Sequence, residues 1–203
     1  GITSLDASIS EEENRLLRTL SQEVYSQIYS LKKLVGILLH LDLALARARY
    51  GKWIDGVPAH LEEESDAPFR LKQLRHPLLI WQNLRERGKQ VVPINIEVAS
   101  DLKVVAITGP NTGGKTVTLK SIGLATLMAR AGLLLPCEGY PSLPWCNQVL
   151  ADIGDEQSLQ QNLSTFSGHV KRISRVLEAL SKEPGPALVL LDEVGAGTDP
   201  SEG

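Results

Sequence analysis

The chain has few of the residues that mark secreted, metal-binding or membrane proteins. Its 203 residues include only two cysteines, Cys137 and Cys146, which lack metal-ligand spacing and stand in a Pro- and Gly-rich stretch. Such usage is typical of reduced thiols, so we predict a cytoplasmic protein without a disulfide framework. No secretory signal pattern is visible, and the longest apolar runs are far too short to cross a bilayer. We therefore expect no membrane partner.

Neither sign of charge dominates the chain. Lys and Arg number 21 and Asp and Glu number 24, which gives a net charge of −3. This balance provides no overall electrostatic footprint for DNA or RNA, so any nucleic-acid contact must come from a local patch or from other parts of a larger protein. Aromatic residues make up only 4% of the chain, but 42% is hydrophobic, which is enough for one large or two small domains.

The most informative segment is the octapeptide Gly109–Thr116, which fits the pattern G-x-x-x-x-G-K-[ST]. It follows the apolar run Val104–Ile107, which predicts a strand, and it opens the helical pattern Val117–Arg130. A strand, a glycine-rich turn and a helix form the context in which this pattern indicates a P-loop. A glycine-rich helix cap without a ligand is the alternative. We predict that the chain binds a nucleoside triphosphate.

Each residue type in the octapeptide has a chemical reason to be there. Gly113 and Gly114 let backbone N–H groups curve around phosphate oxygens, and the helix points its positive end at the same anion. The Lys115 ammonium is suited to the β- and γ-phosphates, and the Thr116 hydroxyl to Mg²⁺. The predicted nucleotide-binding residues are Gly109, Pro110, Asn111, Thr112, Gly113, Gly114, Lys115 and Thr116. Lys115 is also predicted to assist catalysis.

A second apolar run, Ala187–Leu191, ends in Asp192 and Glu193. A short continuous apolar run is expected of a strand buried on both faces, and α/β sheets bind ligands at the carboxyl ends of strands. We predict that Asp192 holds Mg²⁺, directly or through water, and that Glu193 is the catalytic base for the attacking water. A solvated acidic pair is the alternative. The pair favours a hydrolysing ATPase over many P-loop kinases and GTPases.

A long helical pattern occupies the N-terminal part of the chain. Ser10 and Glu13 fit a capping box, apolar residues recur every three or four positions up to Leu45, and Gly51 fits a C′ position. This predicts a helix of about 40 residues and roughly 60 Å, with Gly36 as a candidate break. Such helices usually act as levers or coiled-coil arms. Two ordinary helices joined by a kink are the alternative.

Shorter patterns complete an α/β organisation. We predict strands at Val91–Val98 and Gln148–Ile153, a helix at Val170–Leu180, an extended segment ending at Arg75–Pro77, and a surface connection at Pro136–Pro144. The fold class is therefore α/β, with a P-loop sheet, helices on both faces and a long helical arm before them. A P-loop sheet normally continues with further strands and a residue that senses the γ-phosphate, so we expect the chain to be a C-terminally truncated fragment.

Several segments resemble the MutS family. Ile107–Thr116 is similar to the family's P-loop, in which Gly-Pro-Asn precedes paired glycines, and Leu190–Pro200 resembles its Walker B strand and D-loop. Asp152–Ser158 and Asn162–Ser167 are similar to the second bacterial MutS paralogue and not to the mismatch-repair enzyme. The resemblance covers the chain from about residue 38 onward.

The resemblance implies an ABC-type ATPase sheet with a lever arm, using ATP and Mg²⁺ and working as a homodimer with each nucleotide between two subunits. It divides the chain into a lever segment and connection at 1–70 and an ATPase domain at 71–203. Ser164 and Thr165 match the signature loop that meets the γ-phosphate held by the other subunit, so Ser164 is a predicted catalytic residue. Ser164 as a helix cap is the alternative. Val91–Pro93 replaces the family's adenine-stacking aromatic residue, which predicts apolar packing of the base.

The function predicted from these features is ATP hydrolysis that moves the long helix and, through it, a clamp on nucleic acid. The resemblance implies branched or recombining DNA as the target, or rRNA on ribosomes. A nuclease activity would come only from a domain absent from this chain. Two alternatives stay open: a nucleotide-binding dimerisation module without turnover, and an ABC-type ATPase of the chromosome-maintenance class. The second would carry Leu-Ser-Gly-Gly where this chain has Leu163–Phe166.

Overall fold

A computed structural model describes residues 2–63, 67–86, 91–109, 114–153 and 165–192 of the chain. The chain divides into two compact units, Gly1–Ala46 and Arg47–Gly203. The described residues form a mixed α/β structure of five helices and six strands, which agrees with the predicted α/β class. None of the described helices is both long and apolar enough to cross a membrane. The domain division at residues 70 and 71 stays a prediction.

Two consecutive helices form the predicted arm. Helix α1 spans Ile2–Ser26 and α2 spans Ile28–Ile54, with 25 and 27 residues. They are separated at Gln27, whose N–H donates to the Val24 carbonyl at 3.1 Å and whose carbonyl accepts from Leu31 at 2.9 Å. The chain therefore forms two helices, as in the alternative, and the break lies at Gln27 and not at Gly36.

The predicted ends of the arm are wrong. Ser10 is not an N-cap but lies inside α1, where its carbonyl accepts a hydrogen bond of 2.8 Å from the Asn14 side chain. Gly51 is not a C′ residue, because α2 continues to Ile54. A Cβ at Gly51 would overlap the Leu134 side chain. Close packing against Leu134 therefore explains this glycine, whose helix propensity is poor.

The first sheet is mixed and has four strands. Its strands are β1 (His60–Glu62), β2 (Phe69–Leu74), β3 (Ile94–Val98) and β4 (Glu138–Pro144), in the spatial order β1-β4-β2-β3. Strands β1 and β4 are parallel, while β2 runs antiparallel to both β3 and β4. Helix α3 (Pro77–Glu86) follows β2, and β3 confirms the predicted strand at Val91–Val98 in its C-terminal part.

Strand β4 contradicts the predicted surface connection at Pro136–Pro144. It lies between β1 and β2, and Pro141 and Leu143 are fully buried. The register between β2 and β4 is irregular: Arg70 pairs with Ser142 and Lys72 with Glu138, so β4 carries extra residues. Proline is tolerated at such a bulge because the ladder does not need its missing N–H.

The second sheet consists of two parallel strands, β5 (Gln148–Asp152) and β6 (Ala187–Leu191), paired in register from Gln148–Ala187 to Asp152–Leu191. Helices α4 (Lys115–Arg130) and α5 (Thr165–Lys182) flank it, and all four elements confirm their predictions to within a few residues. Gly123 allows α4 to approach β6 closely, because a Cβ there would lie 2.7 Å from Leu190 Cδ1. The strand ends of β5 and β6 therefore sit beside α4.

The strand predicted at Val104–Ile107 is not formed. Residues 102–108 have no assigned secondary structure, and the Val104 side chain is 86% exposed. A strand requires a hydrogen-bonded neighbour. In the described ranges β5 and β6 pair with each other and not with this segment. The apolar run thus has strand-forming residues but no partner strand among the residues described.

Candidate nucleotide-binding site

The N-terminus of α4 has the backbone that its glycines suggest. Gly114 is the N-cap residue, with φ 77° and ψ 22°, and Gly109 has φ 145°. A Cβ would meet nothing within 4 Å at either position, so the backbone angles and not space favour glycine there. No side chain caps α4, and its first turn carries no acidic residue. This helix end is suited to an anion, because its N–H groups and dipole both favour negative charge.

Lys115 spans the two ends of the glycine-rich segment. Its Nζ donates a hydrogen bond of 2.5 Å to the Gly109 carbonyl, six residues earlier in the chain. The ammonium therefore lies at the start of the loop and next to the helix N-terminus. A phosphate at the α4 N-terminus would meet this positive charge as well as the helix dipole.

Thr116 and Asp192 are brought together from positions 76 residues apart. The Thr116 hydroxyl donates a hydrogen bond of 2.6 Å to Asp192 Oδ2. Asp192 directly follows β6 and is only 8% exposed, while its backbone N–H donates to the Asp152 carbonyl at 2.9 Å. The carboxylate is thus held at the carboxyl end of the sheet, beside the first turn of α4.

The Thr116–Asp192 pair fits a Mg²⁺ ion. Mg²⁺ prefers oxygen ligands and is usually bound by one or two carboxylates with waters and substrate phosphates. A hydroxyl next to a buried carboxylate at a helix N-terminus supplies this donor set, and the ion would neutralise charge on the phosphates when bound. Among the described residues, no group of three or more His, Cys, Asp or Glu could hold a metal by itself.

A second buried carboxylate ends the neighbouring strand. Asp152 is 3% exposed, and its Oδ1 accepts a short hydrogen bond from Arg172 Nε on α5. Reasoning from sequence missed both residues. A usable signal existed for Asp152 alone, because two parallel strands that are each closed by an Asp bring both residues to one edge of the sheet.

Only part of the predicted site falls within the described residues. Gly109, Gly114, Lys115, Thr116 and Asp192 are described and lie in the arrangement given above. Outside the described ranges are Pro110, Asn111, Thr112, Gly113, Ser164 and Glu193. The roles of those six residues stay predictions.

A cavity of about 470 Å³ lies where the base contact is predicted. Val91, Val92 and Pro93 line it together with Asn83 of α3 and Arg75. Its lining combines apolar side chains with the charged Asp55, Arg75 and Glu138. The packing of the base against Val91–Pro93 stays a prediction.

His76 has a structural role at the start of α3. Its Nδ1 accepts a hydrogen bond of 3.3 Å from the Leu78 N–H, and its carbonyl accepts from Ile80 at 3.1 Å. Burial and the positive charge of Lys120 lower the pKa of His76, which favours the neutral ring that this acceptor role requires.

The two cysteines are free and buried. Burial raises the pKa of Cys137 to about 11, against a smaller opposing effect of Arg75. Burial also raises the pKa of Cys146, opposed by Arg130. Both thiols are therefore protonated at neutral pH and behave as small apolar side chains.

Comparison with known proteins agrees with the segments already singled out. Residues 105–203 match the family described as MutS domain V. The chain is 53% identical over 208 residues to the protein named Endonuclease MutS2 from Synechocystis sp., an alignment covering 95% of this chain and 25% of that protein.

Two further proteins of the same name show similar coverage. The one from Thermomicrobium roseum is 44% identical over 208 residues, which is 98% of this chain and 25% of the relative. The one from Finegoldia magna is 43% identical over 199 residues, which is 98% of this chain and 24% of the relative. The chain thus spans about a quarter of the length of these curated relatives. It belongs to the MutS family, in the second bacterial paralogue branch.

Proposed function

We propose that this chain binds and hydrolyses ATP as the P-loop, ABC-type ATPase part of a MutS-type protein. The observation that carries the proposal is the 2.6 Å hydrogen bond from Thr116 to Asp192, which joins the first turn of α4 to the end of β6. A strand-end carboxylate beside a P-loop hydroxyl is the arrangement that phosphoryl-transfer sites use to hold Mg²⁺. In this proposal 71–203 is the ATPase domain and 1–70 is the lever and connection.

The role proposed for each residue of the site follows from the chemistry of its side chain or backbone. Gly109–Thr116 encloses the phosphates, and Lys115 contributes its ammonium to the β- and γ-phosphates. Thr116 and Asp192 hold Mg²⁺, and Glu193 orients and deprotonates the attacking water. Val91–Pro93 packs against the base.

The proposed assembly is a homodimer. Ser164 directly precedes α5 in the sequence. In the proposed dimer, its hydroxyl and the N–H groups of that helix bind a phosphate held by the second subunit. Turnover then requires two chains, whereas contacts with the phosphates through the P-loop do not.

The arm provides the proposed link to nucleic acid. Helices α1 and α2 form a helical segment whose apolar side chains, among them Leu17, Leu20 and Leu38, are largely exposed. We propose that nucleotide-dependent movement of this arm controls binding of DNA, or of rRNA, by the whole protein. The relatives carry the name endonuclease, and we assign any nuclease activity to a domain other than 1–203.

The hydrogen bond from Thr116 to Asp192 is tested by replacing Thr116 with residues of similar size. Thr116→Val keeps the shape but removes the hydroxyl, while Thr116→Ser keeps the hydroxyl. Binding of a fluorescent ATP analogue is titrated with Mg²⁺ for both variants and for Asp192→Asn. We expect Thr116→Val and Asp192→Asn to need at least about tenfold more Mg²⁺, because each loses a ligand or its partner, and Thr116→Ser to match the original chain. Equal Mg²⁺ dependence in Thr116→Val and Thr116→Ser contradicts the proposal.

One observation favours the second function, a nucleotide-binding dimerisation module without turnover. The segment 102–108, which leads into the P-loop, has no strand partner in the described part of the chain. An incompletely supported loop could bind phosphate and still place the water poorly. Phosphate release measured over a range of chain concentrations separates the two functions. Turnover per chain that rises with concentration supports the dimeric ATPase, and saturable ATP binding with no release supports the module.

A further inference from the structure

Two acidic strand ends lie side by side at the candidate Mg²⁺ site. Strands β5 and β6 are parallel and in register, so Asp152 and Asp192 occupy the same edge of the sheet. The Asp192 N–H donates to the Asp152 carbonyl at 2.9 Å, which fixes the backbone of the metal-holding residue to the end of β5. The position of Asp192 therefore depends on where β5 ends and how that end is held.

The end of β5 is held by α5. Arg172 Nε donates to Asp152 Oδ1, a contact between residues 20 positions apart. Asp152 is 3% exposed, whereas the Arg172 side chain is 44% exposed. A buried carboxylate without a compensating charge is costly, so Arg172 both neutralises Asp152 and fixes its geometry.

An ordinary surface pair on the same helix gives a useful contrast. Lys182 and Glu178 form an ion pair of 2.7 Å with both side chains mostly exposed, 72% and 61%. Pairs of that kind contribute little because water and salt screen them. The Arg172–Asp152 pair differs in having one partner buried at the sheet edge, next to the backbone of Asp192.

We propose that Arg172 and Asp152 are positioning residues for the Mg²⁺ site. Neither contacts the nucleotide in this proposal, which rests on the proposed function. Arg172 holds the Asp152 carboxylate, and Asp152 holds the backbone of Asp192 through its carbonyl. Asp192 is thereby kept within hydrogen-bonding reach of Thr116, with its carboxylate oriented for the ion.

The test separates metal positioning from general folding. Binding of a fluorescent ATP analogue to the full chain is measured with Mg²⁺ and with EDTA for Arg172→Ala, Asp152→Asn and Arg172→Lys. Lys182→Ala is the matched control, because it removes an exposed ion pair from the same helix. Circular dichroism and thermal unfolding establish that each variant is folded. Asp152→Asn preserves the shape of the side chain and Arg172→Lys preserves its charge. These two variants therefore still measure the effect on Mg²⁺ dependence if Arg172→Ala is unstable.

We expect only the Mg²⁺ concentration needed for nucleotide binding to change. Residues that orient a metal ligand typically change affinity 10- to 100-fold when removed. We expect Arg172→Ala and Asp152→Asn to need about tenfold more Mg²⁺ for half-maximal binding, with affinity in EDTA unchanged. Arg172→Lys should recover most of the effect, and Lys182→Ala should behave as the original chain.

Three outcomes overturn the inference. Arg172→Ala and Asp152→Asn could show the Mg²⁺ dependence of the original chain, which would make the pair irrelevant to the site. They could lose affinity equally with Mg²⁺ and with EDTA, which would make the pair a support of the fold alone. If the original chain itself binds no nucleotide with Mg²⁺, the proposed function fails first and the inference fails with it.

Discussion

The N-terminal arm and the candidate nucleotide site differ in the sequence distance over which their contacts act. In the arm up to Ala46, contacts such as those of Arg15 with Glu12 and Asn14 with Ser10 join residues three or four positions apart. At the site, Thr116 meets Asp192 across 76 residues and Arg172 meets Asp152 across 20. The comparison shows that local periodicity of apolar residues specifies the arm. The site is specified by the register of two paired strands and by the helices that pack on them.

The largest effect is expected at the catalytic base. Glu193→Gln keeps the size of the side chain but removes its basicity, so turnover should fall by about 10² to 10⁴ while ATP binding persists. Phosphate release and nucleotide binding measured on the same samples check this. Glu183→Gln, an exposed change shortly after α5, should leave both unchanged. Unaltered turnover in Glu193→Gln would remove Glu193 from the mechanism.

Thiol chemistry reports packing in the unit that contains the site. Burial raises the pKa of Cys137 from 9.0 to about 11, so at pH 8 its thiolate fraction should be about 100-fold below that of an unburied thiol. Alkylation of the native chain should be slow at pH 8 and speed up as pH rises towards 11. The same reaction in denaturant should label both cysteines rapidly. Fast labelling of the native chain at pH 8 would contradict the close packing described here.

Two glycines of α2 should respond to alanine in opposite directions. Gly51→Ala should destabilise the fold by about 1 to 3 kcal/mol, because the new Cβ overlaps the Leu134 side chain. Unfolding in urea, followed by circular dichroism, gives the free energy. Wild-type stability in Gly51→Ala would mean that α2 does not pack against Leu134.

Gly36→Ala is the matched change and has the smaller effect. A Cβ at Gly36 meets nothing within 4 Å, so alanine should stabilise α2 by up to about 1 kcal/mol through its better helix propensity. The same urea unfolding measures it. A loss of stability at Gly36 would show that this position is packed, and would weaken the contrast between a locally specified arm and a packed second unit.

Sequence reasoning succeeded where the signal was local. The period of apolar residues predicted α4, α5, β5 and β6 to within a few residues, and motif spacing pointed to Lys115, Thr116 and Asp192. It failed where a distant partner decided the outcome. In the sequence Gly51 resembles a helix end, but in the structure it is a residue of α2 that packs against Leu134. Val104–Ile107 has strand-forming residues, yet it lacks a neighbour among the described strands.

The surface connection predicted at Pro136–Pro144 was wrong for a related reason. A proline-rich stretch is normally a loop, but the irregular register with β2 accommodates Pro141 without a ladder hydrogen bond. The Arg172–Asp152 pair was out of reach of any local pattern, because it requires the orientation of α5 relative to the end of β5. Chemical motifs therefore located the centre of the site, while its supporting contacts emerged only from the fold.

The central claim is that the segment from Gly109 to Thr116 binds the phosphates of ATP. Calorimetric titration of ATP with Mg²⁺ into the full chain and into Lys115→Ala tests it most directly. Lys103→Ala is the control, because it removes a lysine of equal charge shortly before the loop. We predict saturable binding to the original chain and to Lys103→Ala, and at least about tenfold weaker binding to Lys115→Ala, since a hydrogen bond to a charged group is lost. Equal affinity in all three chains would contradict the account.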